Sequence, residues 1–118
     1  MPRLFYYLGT CSTCERIMKG IDLHGFTLRE IKGDPITAKE LDALKKLAGS
    51  YEALFSRVAL KYRALGLNTM TLAEKDYRRY ILQEYTFLKR PVMVVGERIL
   101  IGNGTNVVKA MAEAAAAS

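Results

Sequence analysis

Cys11 and Cys14 are the residues whose types and spacing are best suited to chemistry in this chain. They follow an apolar run at residues 4–8 and Gly9, so we expect a strand, a turn and the start of a helix around them. A helix N-terminus presents unpaired backbone N–H groups and the positive end of the helix dipole, and both stabilise a thiolate. We therefore predict that Cys11 is the reactive thiol. Cys14, about one helical turn further on, is placed to attack a mixed disulfide formed at Cys11.

The residues between the two cysteines, Ser12 and Thr13, can add hydroxyl donors to the thiolate and are candidate substrate-binding groups. A structural metal is not expected, because two cysteines and the single histidine, His24, are too few for a closed four-ligand site. A C-x-x-C pair can also be two inert, half-buried thiols. The β-α-β pattern around this pair nevertheless favours redox or nucleophilic chemistry.

The composition is that of one globular domain, because the chain has 118 residues and half of them are hydrophobic. No apolar run approaches the ~20 residues of a membrane span, and residues 1–3 lead into the first strand without the layout of a signal peptide. We therefore expect a cytoplasmic protein with reduced cysteines and no membrane partner. The net charge of +6 suits an anionic substrate or an acidic partner. The basic residues are dispersed, so direct nucleic-acid binding is not expected.

Hydrophobic periodicity predicts a β-α-β unit, then helices, then a β-β-α unit. In the first unit we expect a strand over residues 3–8, a helix over 13–23 closed by Gly25, and a strand over 26–31. In the last unit we expect a hairpin of residues 91–95 and 98–101 and a terminal helix capped by Thr105. This order predicts an α/β, thioredoxin-like fold with a mixed four-stranded sheet. Residues 1–118 would form a single such domain.

An all-helical insertion of about residues 37–85 is expected between the two halves. Thr37 and Glu40 form a capping box for its first helix, which Gly49 ends. A second helix is predicted over residues 51–65 with Val58 on its buried side. The third helix is predicted to start at a capping box at residues 71–74 and to bury Tyr77 and Ile81.

Three landmarks, in order along the chain, resemble the family of ArsC-type arsenate reductases and their relatives Spx and YffB. They are Cys11-Ser12-Thr13-Cys14, then Phe55-Ser56-Arg57 followed by residues 61–67, then Phe87-Leu88-Lys89-Arg90-Pro91 continuing through residues 92–95 to Leu100-Ile101-Gly102. The resemblance covers essentially the whole chain. It implies the thioredoxin-like fold independently of the periodicity.

The resemblance also implies roles for individual residues. Cys11 matches the family's nucleophile, Arg57 and Arg90 match two arginines that bind the oxyanion, and Arg90-Pro91 matches a cis-proline bond beside the cysteines. Arginine suits this role because its planar fork binds tetrahedral oxyanions and keeps its charge. The chain departs from the reductases of the enteric type, which have a third arginine just after the last strand. Here residues 101–104 contain none.

Three functions are compatible with this resemblance. The first is an arsenate reductase without a bound cofactor, in which Cys14 or an external thiol resolves the Cys11 adduct and glutathione with glutaredoxin, or thioredoxin, is the reductant. The second is a thiol-disulfide oxidoreductase linked to glutathione or thioredoxin. The third is an Spx-like redox-sensing regulator that binds RNA polymerase. The third is disfavoured because the longer basic C-terminal extension of such regulators is missing here.

Overall fold

A computed structural model describes residues 2–117 and divides the chain into two compact units. The sheet unit contains the residues up to Asp34 and those from Arg90 onward, and the helical unit is Pro35–Lys89. Across the described residues, no helix is both long enough and apolar enough to span a membrane.

The sheet unit has the predicted mixed sheet of four strands within the described residues, in the order β2-β1-β3-β4. Strand β1 pairs in parallel with β2 and antiparallel with β3, and β3 pairs antiparallel with β4. This thioredoxin-like fold confirms the predicted class. The elements of this unit are β1 Arg3–Tyr7, α1 Ser12–Lys19, β2 Thr27–Glu30, β3 Val92–Val95, β4 Arg98–Ile101 and α5 Thr105–Ala117.

The core of the sheet unit lies on one face of the two central strands. Phe5 of β1 and Met93 of β3 are directly opposite in the strand register, and both are fully buried. Helices α1 and α5 contribute Ile17 and Met111 to the same cluster. Burial of these side chains removes apolar surface from water and fixes α1, and with it the cysteine motif, against the sheet.

Helix α1 is shorter than its predicted range of 13–23. It ends at Lys19 because Gly20 leaves the helical conformation at φ −96° and ψ 1°, where its N–H donates to the carbonyl of Ile17 at 3.0 Å. Gly25 therefore does not close the helix. It lies in the following turn with φ +83°, a left-handed conformation that glycine adopts without strain.

The helical unit contains α2 Ala38–Ala48, α3 Leu60–Ala64 and α4 Glu74–Gln83. Short 3₁₀ helices lie at Glu52–Leu54, Leu67–Thr69 and Tyr85–Phe87. The predicted capping box of α2 is confirmed. Thr37 Oγ1 accepts from the Glu40 N–H at 3.2 Å, and the Glu40 carboxylate accepts from the Thr37 N–H at 3.0 Å. Gly49, at φ +95°, ends the helix as predicted.

The predicted continuous helix over residues 51–65 is wrong. Phe55 is extended at φ −89° and ψ 127° and forms an antiparallel bridge with Leu88. The Ser56 N–H donates to Phe87 O at 2.7 Å, and the rings of Phe55 and Phe87 stack at 5.0 Å. This long-range pairing replaces the local helix, and Val58, predicted to be buried, is 89% exposed.

The predicted capping box at residues 71–74 is also wrong, because the N-cap of α4 is Ala73 and its N–H donates to the Asp76 carboxylate at 2.8 Å. The carboxylate of Glu74 instead accepts from the N–H groups of Tyr51 and Glu52 at 2.8 and 3.0 Å. Glu74 thereby provides acceptors for the backbone N–H groups at the start of the 3₁₀ helix that precedes Phe55. The predicted burial of Tyr77 and Ile81 in α4 is confirmed.

Candidate active site

Cys11 is the N-cap residue of α1, with an extended backbone at φ −93° and ψ 113°. Its N–H donates to the carbonyl of Leu8 at 3.1 Å, and its carbonyl accepts from the Glu15 N–H at 3.1 Å. These two bonds fix the backbone on either side of the thiol. Thr13 and Cys14 occupy the second and third helical positions, whose N–H groups have no carbonyl acceptor within the helix. The Cys11 side chain is therefore at the position from which cap residues meet those N–H groups.

The surroundings of Cys11 favour its thiolate. Partial burial raises the pKa of Cys11, but polar interactions outweigh it and the net pKa lies below the usual value. They come from the backbone N–H and thiol of Cys14, the backbone N–H of Thr13 and the guanidinium of Arg90. Because the side chain is also partly exposed, this thiolate is accessible to a reactant.

Cys14, in contrast, is a buried thiol with a raised pKa. It is 1% exposed, and this burial raises its pKa to about 11. A hydrogen bond with the Leu8 backbone lowers the pKa in part, while the charge of Cys11 raises it further. Both cysteines are free. The motif therefore pairs an accessible thiol that ionises readily with a buried thiol that stays protonated at neutral pH.

The hydroxyl residues between the cysteines, Ser12 and Thr13, are the first two residues of α1. Ser12 is exposed and Thr13 is partly exposed. The backbone of Thr13 acts on the Cys11 thiol, as described above. A role for either hydroxyl in holding a substrate stays a prediction.

Arg90 and Pro91 directly precede β3, in the same unit as the cysteines. The peptide bond between them is cis, which is the isomer that the family resemblance implies. The Pro91 carbonyl accepts from the Gly102 N–H at 2.9 Å. The guanidinium of Arg90, which carries a permanent positive charge, helps to lower the pKa of Cys11.

Arg57 belongs to the helical unit and forms hydrogen bonds with two residues of that unit. Its Nη2 donates to Glu52 Oε2 at 2.7 Å and to the Tyr77 hydroxyl at 2.9 Å. The guanidinium also lies 5.5 Å from the centre of the Tyr77 ring. The side chain remains 44% exposed. An anion that binds Arg57 would therefore compete with the Glu52 carboxylate.

Glu30 is a residue of this region that the sequence reasoning missed. Its carboxylate accepts from the Gly9 N–H at 2.8 Å and from the Gly33 N–H at 2.7 Å. These backbone bonds lower the pKa of Glu30. A signal was present, since Glu30 ends β2, and parallel strands β1 and β2 bring their carboxyl ends to one edge of the sheet.

A groove of about 300 Å³ lies beside the same loop. It is mostly apolar, with an exposed ion pair between Glu15 and Lys19 at 3.4 Å on one side. The lining residues are Tyr7, Leu8, Gly9, Glu15, Met18 and Lys19. Within residues 2–117, no group of three or more histidine, cysteine or acidic side chains is arranged to hold a metal ion.

Several solved structures share the fold of this chain. The chain is 27% identical to an ArsC family related protein from Bacteroides fragilis, with a TM-score of 0.74 over 94% of this chain and 98% of the other. It is 27% identical to a Streptococcus mutans protein described as a possible arsenate reductase, with a TM-score of 0.71 over 87% and 92%. An arsenate reductase from Vibrio cholerae, at 18% identity, shares the fold with a TM-score of 0.73 over 94% and 98%.

No curated protein matches the chain. The model of the ArsC family matches residues 6–111, which include the cysteine motif, Arg57, Arg90 and Pro91. This match covers most of the 118 residues. The chain therefore belongs to the ArsC family.

Proposed function

We propose that this protein reduces an arsenate-like oxyanion, with the Cys11 thiolate as nucleophile. Membership of the ArsC family and the thioredoxin-like fold support a thiol-based oxidoreductase. The observation on which the proposal depends is the unequal pair of thiols. The pKa of accessible Cys11 is lowered, whereas burial raises the pKa of Cys14 to about 11.

In the first step, the Cys11 thiolate attacks arsenic. An S–As bond forms, an As–O bond breaks, and the released oxygen leaves as water after taking up protons. Arg90, beside the Cys11 sulfur, neutralises negative charge on the oxyanion. The family resemblance assigns a second arginine, Arg57, to oxyanion binding. The N–H groups at the start of α1 can donate to further anion oxygens.

In the second step, another thiol attacks Cys11 Sγ. An S–S bond forms and the S–As bond breaks, with its electron pair remaining on arsenic. Arsenic is reduced from As(V) to As(III), and two thiols are oxidised to one disulfide. The proton of the attacking thiol passes to solvent, and arsenite leaves.

Cys14 is our first choice for the resolving thiol. One cause of its raised pKa is the charge of the Cys11 thiolate, and that charge disappears once Cys11 is bonded to arsenic. Formation of the adduct thus removes the thiolate charge of Cys11 as a cause that opposes ionisation of Cys14, while burial still raises the Cys14 pKa. Thioredoxin would then reduce the Cys11–Cys14 disulfide. If an external thiol resolves instead, the reductant is glutathione with glutaredoxin. Both routes use reductants that are maintained in the cytoplasm and need no bound cofactor.

The same thiol pair supports a second candidate function, a thiol-disulfide oxidoreductase. An accessible thiolate followed by a buried thiol one turn later can attack a disulfide and resolve the mixed disulfide that results. In this reaction the arginines would hold a carboxylate, such as that of glutathione, in place of an oxyanion.

Arsenite production from arsenate with NADPH tests the proposal. Wild type, Cys11→Ser and Cys14→Ser are compared with a thioredoxin system and with a glutathione–glutaredoxin system. We expect turnover that Cys11→Ser abolishes. Loss of thioredoxin-linked turnover in Cys14→Ser would identify Cys14 as the resolving thiol. If no system yields arsenite, the oxyanion proposal is refuted, and reduction of a mixed glutathione disulfide by wild type would support the second function.

A further inference from the structure

We propose that Glu30 is a positioning residue for Cys11. Its carboxylate holds the loop between β1 and α1 in the conformation that places the thiol at the start of the helix. The inference rests on the proposed function only in taking Cys11 as the reacting thiol.

The register of the sheet places Glu30 beside this loop. Glu30 is the last residue of β2, and its partner in the parallel pair is Tyr7, the last residue of β1. The chain leaves β1 at this edge and reaches Cys11 through Leu8, Gly9 and Thr10. A long carboxylate side chain at the end of β2 can therefore reach backbone groups of the loop.

Both carboxylate oxygens of Glu30 accept hydrogen bonds from backbone N–H groups. Oε2 accepts from the Gly9 N–H at 2.8 Å, and Oε1 accepts from the Gly33 N–H at 2.7 Å. One side chain thus joins the loop before α1 to the turn after β2. Such charge-assisted bonds are stronger than bonds between neutral groups. They orient the Gly9 peptide two residues before Cys11.

The contact is also close. A Cβ added at Gly9 would lie 3.3 Å from Glu30 Cγ, which is tighter than ordinary van der Waals contact. The carboxylate stem therefore packs against the bare backbone of Gly9. On either side of this contact, the Ile31 N–H donates to Tyr7 O at 2.9 Å and the Cys11 N–H donates to Leu8 O at 3.1 Å. Glu30 completes the set of bonds that fixes this loop.

Loss of the charge of Glu30 and loss of its hydrogen bonds should shift the pKa of Cys11 in opposite directions, so the two roles can be told apart by experiment. If Glu30 acts by its charge, its removal lowers the pKa of Cys11, because a nearby negative charge disfavours a thiolate. If it acts by position, its removal lets Cys11 shift relative to Cys14, the Thr13 backbone and Arg90, which lower its pKa, and the pKa of Cys11 rises. The neighbouring charge of Lys32, which helps to keep Glu30 ionised, is unchanged in both cases.

The experiment measures the rate of iodoacetamide alkylation of Cys11 against pH, with the modified cysteine identified by peptide mass. The proteins are wild type, Glu30→Gln, Glu30→Ala and the control Glu97→Gln, which removes one negative charge in the turn between β3 and β4. Glutamine keeps one acceptor oxygen for two N–H donors, so its effect should be smaller than that of alanine. We expect the pKa of Cys11 to rise in the order wild type, Glu30→Gln, Glu30→Ala. At a pH below this midpoint, the alkylation rate should fall about threefold for each half pH unit by which the pKa rises. Glu97→Gln should leave the pKa of Cys11 unchanged or slightly lower.

A pKa of Cys11 that is unchanged or lowered in folded Glu30→Ala would overturn the inference. If Glu30→Ala does not fold, two other variants decide the question by the same criterion. They are the near-isosteric Glu30→Gln and Gly9→Ala, whose methyl group would displace the Glu30 stem by a few tenths of an ångström. Amide hydrogen exchange at residue 9 and at Cys11 should be faster in each folded variant of Glu30 than in wild type, and unchanged in Glu97→Gln. None of these readouts uses arsenate, so failure of the proposed substrate and failure of this inference are distinguishable.

Discussion

Cys11 caps the helix in which Cys14 is the third residue, and the two thiols have pKa values displaced in opposite directions. Burial raises the pKa of Cys14 to about 11, whereas polar contacts outweigh partial burial and lower that of Cys11. One turn of helix separates a thiol that ionises more readily than usual from a buried thiol that stays protonated at neutral pH. This division of roles is what a two-step thiol mechanism requires.

Cys14 should make the reduced protein less stable at alkaline pH. Its folded pKa, about 11, lies above the usual 9.0. The folded state therefore retains a proton that the unfolded state releases, and this stability is full below pH 9 and lost as the pH rises through about 11. Urea unfolding at pH 8 and pH 10 should show a smaller decline for Cys14→Ser than for wild type. Equal declines would contradict the assignment.

Glu52→Gln should strengthen oxyanion binding if Arg57 is an oxyanion ligand. The variant removes the charge that pairs with Arg57 Nη2 at 2.7 Å. Because partly exposed pairs contribute little, we expect the KM for arsenate to fall by about 1.5- to 5-fold with little change in kcat. Arg57→Lys should raise KM, since lysine has no planar fork.

Steady-state kinetics with Glu97→Gln as the charge control checks this prediction. A higher KM in Glu52→Gln would show that Glu52 orients Arg57 for the anion instead of competing with it. An unchanged KM in both Glu52→Gln and Arg57→Lys would remove Arg57 from the binding site.

Asp42 should contribute acid-sensitive stability to the helical unit. Arg78 donates to its carboxylate from Nε at 2.8 Å and from Nη2 at 3.2 Å, and the Tyr51 hydroxyl donates at 2.7 Å. These bonds lower the pKa of Asp42 from 3.8 to about 2. The contribution is therefore complete above about pH 4 and disappears as the pH falls toward 2.

Chemical denaturation of wild type and Asp42→Asn at several pH values measures this contribution. The variant should be less stable at pH 7, and the difference should shrink as the pH falls through the range in which wild-type Asp42 takes up a proton. Tyr51→Phe should show part of the same loss. A difference that does not depend on pH would mean that the ionised form of Asp42 is not the stabilising one.

Phe55 and Val58 should differ sharply in their contributions to stability. Phe55 is fully buried and contacts the rings of Tyr77 and Phe87, so Phe55→Ala should cost about 3–5 kcal/mol. Val58 is 89% exposed, so Val58→Ala should change the free energy of unfolding by less than about 0.5 kcal/mol. A large loss in Val58→Ala would restore the sequence-based prediction that Val58 is buried.

The sheet unit was predictable because its signals are local. Short apolar runs, the hairpin turn at Gly96 and the C-x-x-C motif after β1 each specify structure within a few residues. The bridge between Phe55 and Leu88 was not predictable in this way, because it depends on a partner far along the chain. The segment around Val58 therefore looked like an amphipathic helix, although its backbone pairs elsewhere.

The candidate site likewise combines features that follow from local sequence with features that depend on long-range contacts. The position of Cys11 at the start of α1 follows from the order strand, turn, helix, whereas the burial of Cys14 depends on tertiary packing that a local pattern does not specify. The bonds of Arg57 to Glu52 and Tyr77 depend on the fold of the helical unit. Glu30 meets Gly9 only through the strand register. The residue types alone indicated thiol chemistry, whereas the residues that contact Arg57 and the Cys11 loop are determined by long-range structure.

The pH dependence of Cys11 alkylation in the reduced wild-type protein tests the central claim most directly. We predict that iodoacetamide modifies Cys11 selectively at neutral pH, with a titration midpoint below 9.0, while Cys14 resists modification until the pH approaches about 11. Arg90→Met should move the midpoint of Cys11 upward, because it removes the guanidinium beside the sulfur. A midpoint at or above 9.0 for Cys11, or faster modification of Cys14, would contradict the assignment of Cys11 as the nucleophile.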